Sequence, residues 1–357
     1  MTVGVVLAGW QVFSASATGH PNLPARTAAQ LLAAAQTSKV DSLSGTITES
    51  AALGLPELPG ADSSASLSWQ SLITGAHTAR VWIAGPDKQR IALIGTLAES
   101  DVIHNGRNVW TYSSEQNEAS HFVLPAHASR TGHVVEPAVP DARDYTPMGV
   151  AKMILKALDP TTRVTVDPTQ VVAGHDAYTL VLSPRDARST VRKVTIALDS
   201  RRFIPLQVQV YGSGSSPAFQ IGFTRNLSFA APADSLFDFH VPAGVTVTSN
   251  PLIGRDGTEG DTATVGGDST SPHNTVVETK APKILGSGWT SIAYFAGGLP
   301  AGLGGGVLDR ATSPTGSSGD RLLSTSLLNV LFTKDGRVFI GAVTPSMLEH
   351  TAAATPR

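Results

Sequence analysis

Three histidines recur at intervals of six, His121, His127 and His133, with Glu136 and Asp141 close behind them. Imidazole and carboxylate side chains brought together by a loop could hold a divalent metal, and a metal-dependent enzyme is one reading of this stretch. The spacing matches neither a helix nor a strand, however, and the segment is full of Pro and Gly, so a solvated loop is the stronger expectation. His104 sits beside Asn105-Gly106 and reads as a turn residue rather than a base. Asp186 lies between Arg185 and Arg188 in a local charge cluster, with lipid headgroup or partner recognition as the sharper alternative.

Other catalytic signatures are missing. The chain has no G-x-S-x-G elbow, no H-E-x-x-H pair, no phosphate loop ending in Gly-Lys-Ser/Thr, and no strand leading through G-x-G-x-x-G into a helix. Gly302-Leu-Gly-Gly-Gly306 lacks that context and reads as a flexible connection. Cysteine is absent, which removes disulfides, thiolate ligands, cysteine nucleophiles and a lipid-modified cysteine together. Neither a cofactor nor a catalytic residue is expected.

The aromatic residues offer a different chemistry. Trp82, Trp110, Tyr112, Tyr178 and Phe223 fall in strand-like runs, where they either pack across strands or wall an apolar cavity. Met148 and Met153 suit an adaptable apolar contact or fill gaps in a core.

These residues need a scaffold, and the strand signals supply one. Ser44 to Ser50 alternates, Arg80-Ala84 pairs with Gln89-Ile94 around Gly85, and Asp101-His104 pairs with Asn108-Tyr112 around a predicted type I′ Asn105-Gly106 turn. His121-Leu124 adds another strand, and the series resumes at Arg163-Val166, Ala177-Leu182, Val194-Leu198, Leu206-Tyr211, Phe219-Phe223 and Leu227-Phe229. Within one of these, Leu206, Val208 and Val210 face one way and Gln207 and Gln209 the other. Helices are predicted over Arg26-Val40 and from Thr146, as N-cap before Pro147, to Leu158. About ten antiparallel strands do not stay flat, and curl into a sandwich, barrel or half-barrel. The fold class is therefore α+β, a curved antiparallel sheet with helices across its concave face.

Size and charge narrow the function. A chain of 357 residues, 41% hydrophobic and 15% charged, can bury a sizeable core. With 26 basic against 28 acidic side chains and a net charge of -2, it lacks the clustered cationic surface of a nucleic-acid binder. Residues 1–17 contain the apolar run Val3 to Trp10 and the small-x-small sequence Ala15-Ser-Ala17. They are expected to be a truncated export signal or anchor remnant, too short for the roughly 20 residues of a membrane span. The expected organisation is a main domain over 18–248, a Gly/Thr/Ser-rich linker over 249–282, a small hairpin module over 283–348 with Asp335-Gly336 at its turn and a short helix from Pro345, and a tail over 349–357.

The order of these elements, together with Ser235-Leu-Phe-Asp-Phe-His-Val-Pro-Ala-Gly244 after the last strand, resembles the LolA-like superfamily over roughly residues 24–248. That superfamily includes the lipoprotein carrier LolA, the lipoprotein LppX and the sigma-factor regulator RseB (MucB). The resemblance implies an unclosed barrel of about eleven strands with a helical lid, holding acyl chains. It implies a non-enzymatic, extracytoplasmic carrier of lipid or acylated lipoprotein, with peripheral membrane contact. The alternative is a lipid-sensing regulator that binds a membrane-anchored envelope protein. Apolar binding of this kind needs no fixed polar residue, because each buried methylene contributes roughly 0.8 kcal/mol. The expected core or cavity wall consists of Leu31, Leu32, Trp82, Ile83, Ile91, Leu93, Trp110, Met153, Ile154, Leu180, Val208 and Phe223.

Overall fold

The computed structural model describes residues 21–54, 75–95, 98–124, 141–251, 282–297, 312–315 and 319–356. Twelve strands form one sheet: β1 (Ser42–Ala51), β2 (Gly75–Ala84), β3 (Lys88–Ile94), β4 (Glu99–Asn105), β5 (Asn108–Ser113), β6 (Glu118–Val123), β7 (Thr162–Val172), β8 (His175–Pro184), β9 (Lys193–Asp199), β10 (Pro205–Tyr211), β11 (Phe219–Ser228) and β12 (Thr246–Pro251). The order is β12-β6-β5-β4-β3-β2-β1-β11-β10-β9-β8-β7, with β12 and β7 as edges, so the curved sheet does not close. Two antiparallel meanders meet where β1 pairs with β11. Among the described strands only the β12–β6 pair is parallel.

Strand β1 shows how the sequence divides the sheet into faces. Leu43, Gly45, Ile47 and Glu49 are buried, while Ser44, Thr46, Thr48 and Ser50 are half-buried on the other side. Cross-strand register carries this alternation outward, so Leu43 faces Ile83, Ile83 faces Gln89, and Ile47 faces Phe223. Gly45 is required on this inner face, since a Cβ there would lie 2.9 Å from the Phe223 ring.

Two helices, α1 (Ala28–Thr37) and α2 (Pro147–Lys156), cover the inner face. Thr27 starts α1 through a capping box, its hydroxyl accepting from Gln30 N at 3.2 Å while Gln30 Oε1 accepts from Thr27 N at 2.9 Å. Leu31 and Ala35 of α1 are buried, and the helix packs on β7 and β8. The preceding segment is pinned to the same strands, with Tyr178 Oη donating to Pro24 O at 2.9 Å and Thr169 Oγ1 to Pro21 O at 2.7 Å. Helix α2 begins at the buried cap Thr146, has Pro147 at its first position, and packs on β10 and β11.

The outer face is covered differently. Beyond β11 the chain crosses β3, β4 and β5 as a strap. Lys88 pairs with Asp234 at 2.8 Å, Asn105 Nδ2 donates to Asp238 Oδ1 at 3.0 Å, and Asn117 Nδ2 donates to Gly244 O at 2.7 Å. Phe237 is buried beneath this strap. The crossing carries the chain to the opposite end of the sheet, which is why β12 returns parallel to β6. Over β8 and β9 the outer side chains are small, and Gln170 and Gln209 lie across them, bonding Thr179 and Thr195 at 3.1 Å. Both faces of these two strands are therefore buried.

A second sheet, in the order β13-β14-β18-β17-β16-β15, is built from β13 (Lys283–Leu285), β14 (Ile292–Phe295), β15 (Ser313–Thr315), β16 (Asp320–Ser324), β17 (Asn329–Phe332) and β18 (Val338–Gly341). Helix α3 (Pro345–Ala354) packs on it, burying Leu348 and Ala352 against Leu331, Phe339 and Val343. Arg337 Nη1 donates to the Ala352 and Thr355 carbonyls at 3.2 and 2.8 Å and so terminates α3. The helix runs on through residues read from sequence as a tail.

This module docks on one end of the main sheet through its backbone. Ser326 N donates to Leu53 O, Thr190 N to Ala342 O and Thr344 N to Arg188 O, each at 2.9 Å. Trp289 Nε1 donates to Thr162 Oγ1 at 2.8 Å, and Leu327 joins the main core. Gly212 is needed at this contact, because a Cβ would overlap the Ser326 carbonyl oxygen.

Several sequence expectations shift. The β4–β5 turn centres on Gly106-Arg107, since Asn105 pairs with Asn108 and, of the turn residues, only Gly106 has positive φ (+62°), as a type II′ turn requires. Phe219-Phe223 and Leu227-Phe229 belong largely to the single strand β11. The Gly302–Gly306 run and most of the 249–282 linker lie outside the described residues.

Gly45→Val should lower stability by about 1–3 kcal/mol through overpacking. In denaturant melts, adding Phe223→Leu to that variant should recover part of the loss.

Candidate functional site

Among the described residues the inner face carries the larger of two hydrophobic clusters. Val81, Ile83, Ile91, Leu180, Ile196, Val208, Ile221 and Phe223 form one cluster with Leu31 and Ala35 of α1 and Ala151 and Leu155 of α2. The helices hold it unequally. At its N-terminal end α2 is anchored to the β2–β3 turn, where Arg143 Nη2 donates to Gly85 O at 3.0 Å and Ala142 N donates to Gln89 Oε1 at 2.7 Å. Farther along, Met148, Val150 and Ile154 are only partly buried, and Met153 is 63% exposed.

The twelve residues expected at the wall fall into three settings. Leu31, Ile83, Ile91, Leu93, Leu180, Val208 and Phe223 are buried at 0–4% exposure on the helix-covered side. Leu32 and Ile154 pack at its margin, while Met153 faces solvent. Trp82 and Trp110 lie on the outer face, because each alternates with an inner residue of its strand. The Arg90 guanidinium lies 5.4 Å from the Trp82 ring centroid. Trp110 stacks on His121 at 4.1 Å and meets Phe239 of the strap at 5.1 Å.

Around Trp110 the strap leaves a shallow outer groove of about 330 Å³, lined by Asn105, Asn108, Trp110, Phe237, Asp238, Phe239 and His240. Its polar groups are largely engaged with one another: Asn105 with Asp238, and His121 with Asn108 Oδ1 at 2.9 Å.

Among the described residues no group of three or more His, Cys, Asp or Glu side chains converges. His121 belongs to the outer aromatic stack, and Asp141 caps a 3-10 turn by accepting from Arg143 N at 2.8 Å. His127, His133 and Glu136 lie outside the described residues. His104 bonds the Gly106 carbonyl at 2.8 Å, as a turn residue would. Asp186 is held by Arg188 at 2.6 Å, and that hydrogen bonding lowers its carboxyl to about 2. The same loop carries backbone contacts to the C-terminal module, through Arg188 O and Thr190 N.

Two buried carboxylates were not visible in the sequence. On the outer face Asp101 meets Arg90 at 2.7 Å beneath the strap, where Arg90 also reaches Leu236 O at 3.3 Å. On the inner face Glu49 lies 3.0 Å from His77 Nδ1, its direct cross-strand neighbour. Burial pushes both carboxyl groups above their ordinary range, against the opposing effects of His77 and Arg90. Only the register of β1, which places Glu49 in line with Leu43 and Ile47, could have revealed the inner pair.

The architecture defines a class: an unclosed antiparallel half-barrel, helix-covered on its apolar face and capped at one end by a small α+β module. No family model and no curated protein matches the chain. Among solved structures it is similar to MucB in the Pseudomonas aeruginosa MucA/MucB complex, with 16% identity over 90% of this chain and 94% of that chain and a TM-score of 0.41. A structure titled MucB alone gives 15% identity, 91% and 96% coverage, and a TM-score of 0.43. A LolA-superfamily protein from Nitrosomonas europaea gives 12% identity, 60% and 99% coverage, and a TM-score of 0.24. No helix among the described residues is long and apolar enough to cross a membrane.

A carboxyl raised by burial adds stability that is fully present below its unfolded value and lost as pH rises through its folded value. Glu49→Gln should therefore melt higher than the parent at neutral pH, and the difference should vanish below the ordinary value of 4.5. Thermal melts across that range check the sign.

Proposed function

We propose that this protein is a non-enzymatic binder of lipid or lipoprotein acyl chains, working outside the cytoplasm as a carrier. The chain would lie between α2 and the inner surface of β10 and β11. One observation carries this reading: the apolar face of an unclosed sheet is covered by two ten-residue helices rather than by a second sheet. Helices of that length are marginal alone, so the position of α2 depends on its packing. It is tied firmly at the Arg143 end, and its apolar residues Met148, Val150 and Ile154 are incompletely buried. An acyl chain can exchange with those contacts at modest cost. A twelve-carbon chain would gain roughly 9 kcal/mol on burial, before the losses from ordering it.

The C-terminal module fits the same reading as a cap, since Leu327 and Trp289 close one end of the core that the helices cover. The export-like start at Val3 to Ala17 supports an extracytoplasmic location, where acylated cargo is met.

Purified protein should carry lipid by native mass spectrometry or take up a fluorescent acyl probe. Ile154→Glu should weaken probe binding by about tenfold, equivalent to about 1.4 kcal/mol. Absence of both bound lipid and probe uptake would refute the reading.

A further inference from the structure

Glu49 occupies the inner face of β1, between Ile47 and Ala51 along the strand and between His77 and Ile221 across it. Its exposure is 7%, and only one carboxylate oxygen is satisfied: Oε2 lies 3.0 Å from His77 Nδ1. The other oxygen, Oε1, is buried and has no hydrogen-bond partner among the described residues. An unpaired acceptor in an apolar setting is unfavourable and calls for a donor. Asp101 Oδ1 is equally unpartnered, but it lies on the outer face beside Arg90 and under the strap, away from any inner ligand. Glu49 is placed otherwise. Its strand neighbours β11, on which α2 packs, so Glu49 lies one strand away from the place proposed for the acyl chain.

We propose that Glu49, positioned by His77, is the polar end of the binding face and selects acyl ligands whose first polar group donates a hydrogen bond. A hydroxyl, an ammonium or an amide N–H supplies what Oε1 lacks. A carboxylate or phosphate at the same place presents further acceptors and no donor to Oε1, and is disfavoured. This inference rests on the acyl-binding reading above and adds the headgroup class to it. It gives the Glu49–His77 pair a use that packing does not: a hydrophobic pair of the same volume would fill the position without an unsatisfied oxygen.

The test is displacement of a neutral fluorescent acyl probe from the full chain by three competitors of equal chain length: monododecanoylglycerol, dodecylamine and dodecanoate. In the parent protein the first two should compete at concentrations about tenfold or more below dodecanoate. In Glu49→Leu the preference should fall to within about twofold, and Glu49→Gln, which keeps the shape but replaces one carboxylate oxygen with an N–H donor, should admit dodecanoate. Preference for the amine alone would identify a charged donor, and preference for both an uncharged one as sufficient; either supports the assignment. Equal competition by dodecanoate in the parent, or an unchanged preference in folded Glu49→Leu, overturns the headgroup assignment while leaving acyl binding intact. Failure of the probe to bind at all overturns both.

Discussion

A sheet with one apolar face must cover that face, and an unclosed sheet cannot do so by curling onto itself. Much of this structure answers that constraint. In a closed barrel the strands would share a sealed interior. Here the edges β7 and β12 remain apart, and α1 and α2 take the place of the missing wall. Each helix is short, so its stability comes from the sheet it covers. The covering is consequently strong where backbone and side-chain anchors exist, at Pro21, Pro24 and Arg143, and weaker along the exposed flank of α2 that carries Met153.

The same constraint explains how the outer face is arranged. Strands β2 to β5 carry Trp82, Arg90, Asp101, Trp110 and Tyr112 outward, and the aromatic members of this set are too apolar to leave in water. The strap buries Phe237 there and lays Phe239 against Trp110 and Tyr112. It also supplies the Leu236 carbonyl to Arg90. The Arg90–Asp101 pair tolerates burial because each ion has the other, although removing one partner of such a pair is costly. The glutamine layer over β8 and β9 achieves similar cover with long polar side chains, whose amides bond the threonines beneath.

Much of this frame was legible in the sequence. Alternation in Ser44 to Ser50 and in Leu206 to Tyr211 identified strands with two unlike faces, and Thr146-Pro147 marked the start of α2 because cap and ring geometry are local properties. Face assignment for the aromatic residues was less legible. Trp82 and Ile83 are adjacent in the chain and both large, so which of them points toward the helices is decided by strand register, a long-range property. The parallel strand β12 was hidden for the same reason, since Thr246 to Pro251 joins the sheet only after the strap has crossed it. Glu49 was obscured by its setting among serines and threonines: a carboxylate in Thr-Ile-Thr-Glu-Ser reads as an exposed residue until β1 is paired with β2 and β11.

The central claim is that an acyl chain occupies the space between α2 and the inner surface of β10 and β11. A dodecanoyl lipid carrying a terminal diazirine, photolysed on the protein and followed by peptide mapping, tests this directly. The account predicts adducts on inner residues such as Val208, Ile221 and Phe223 and on α2. Adducts confined to the outer aromatic surface around Trp110 and Phe239, or no adducts above those of an unrelated protein, would contradict it.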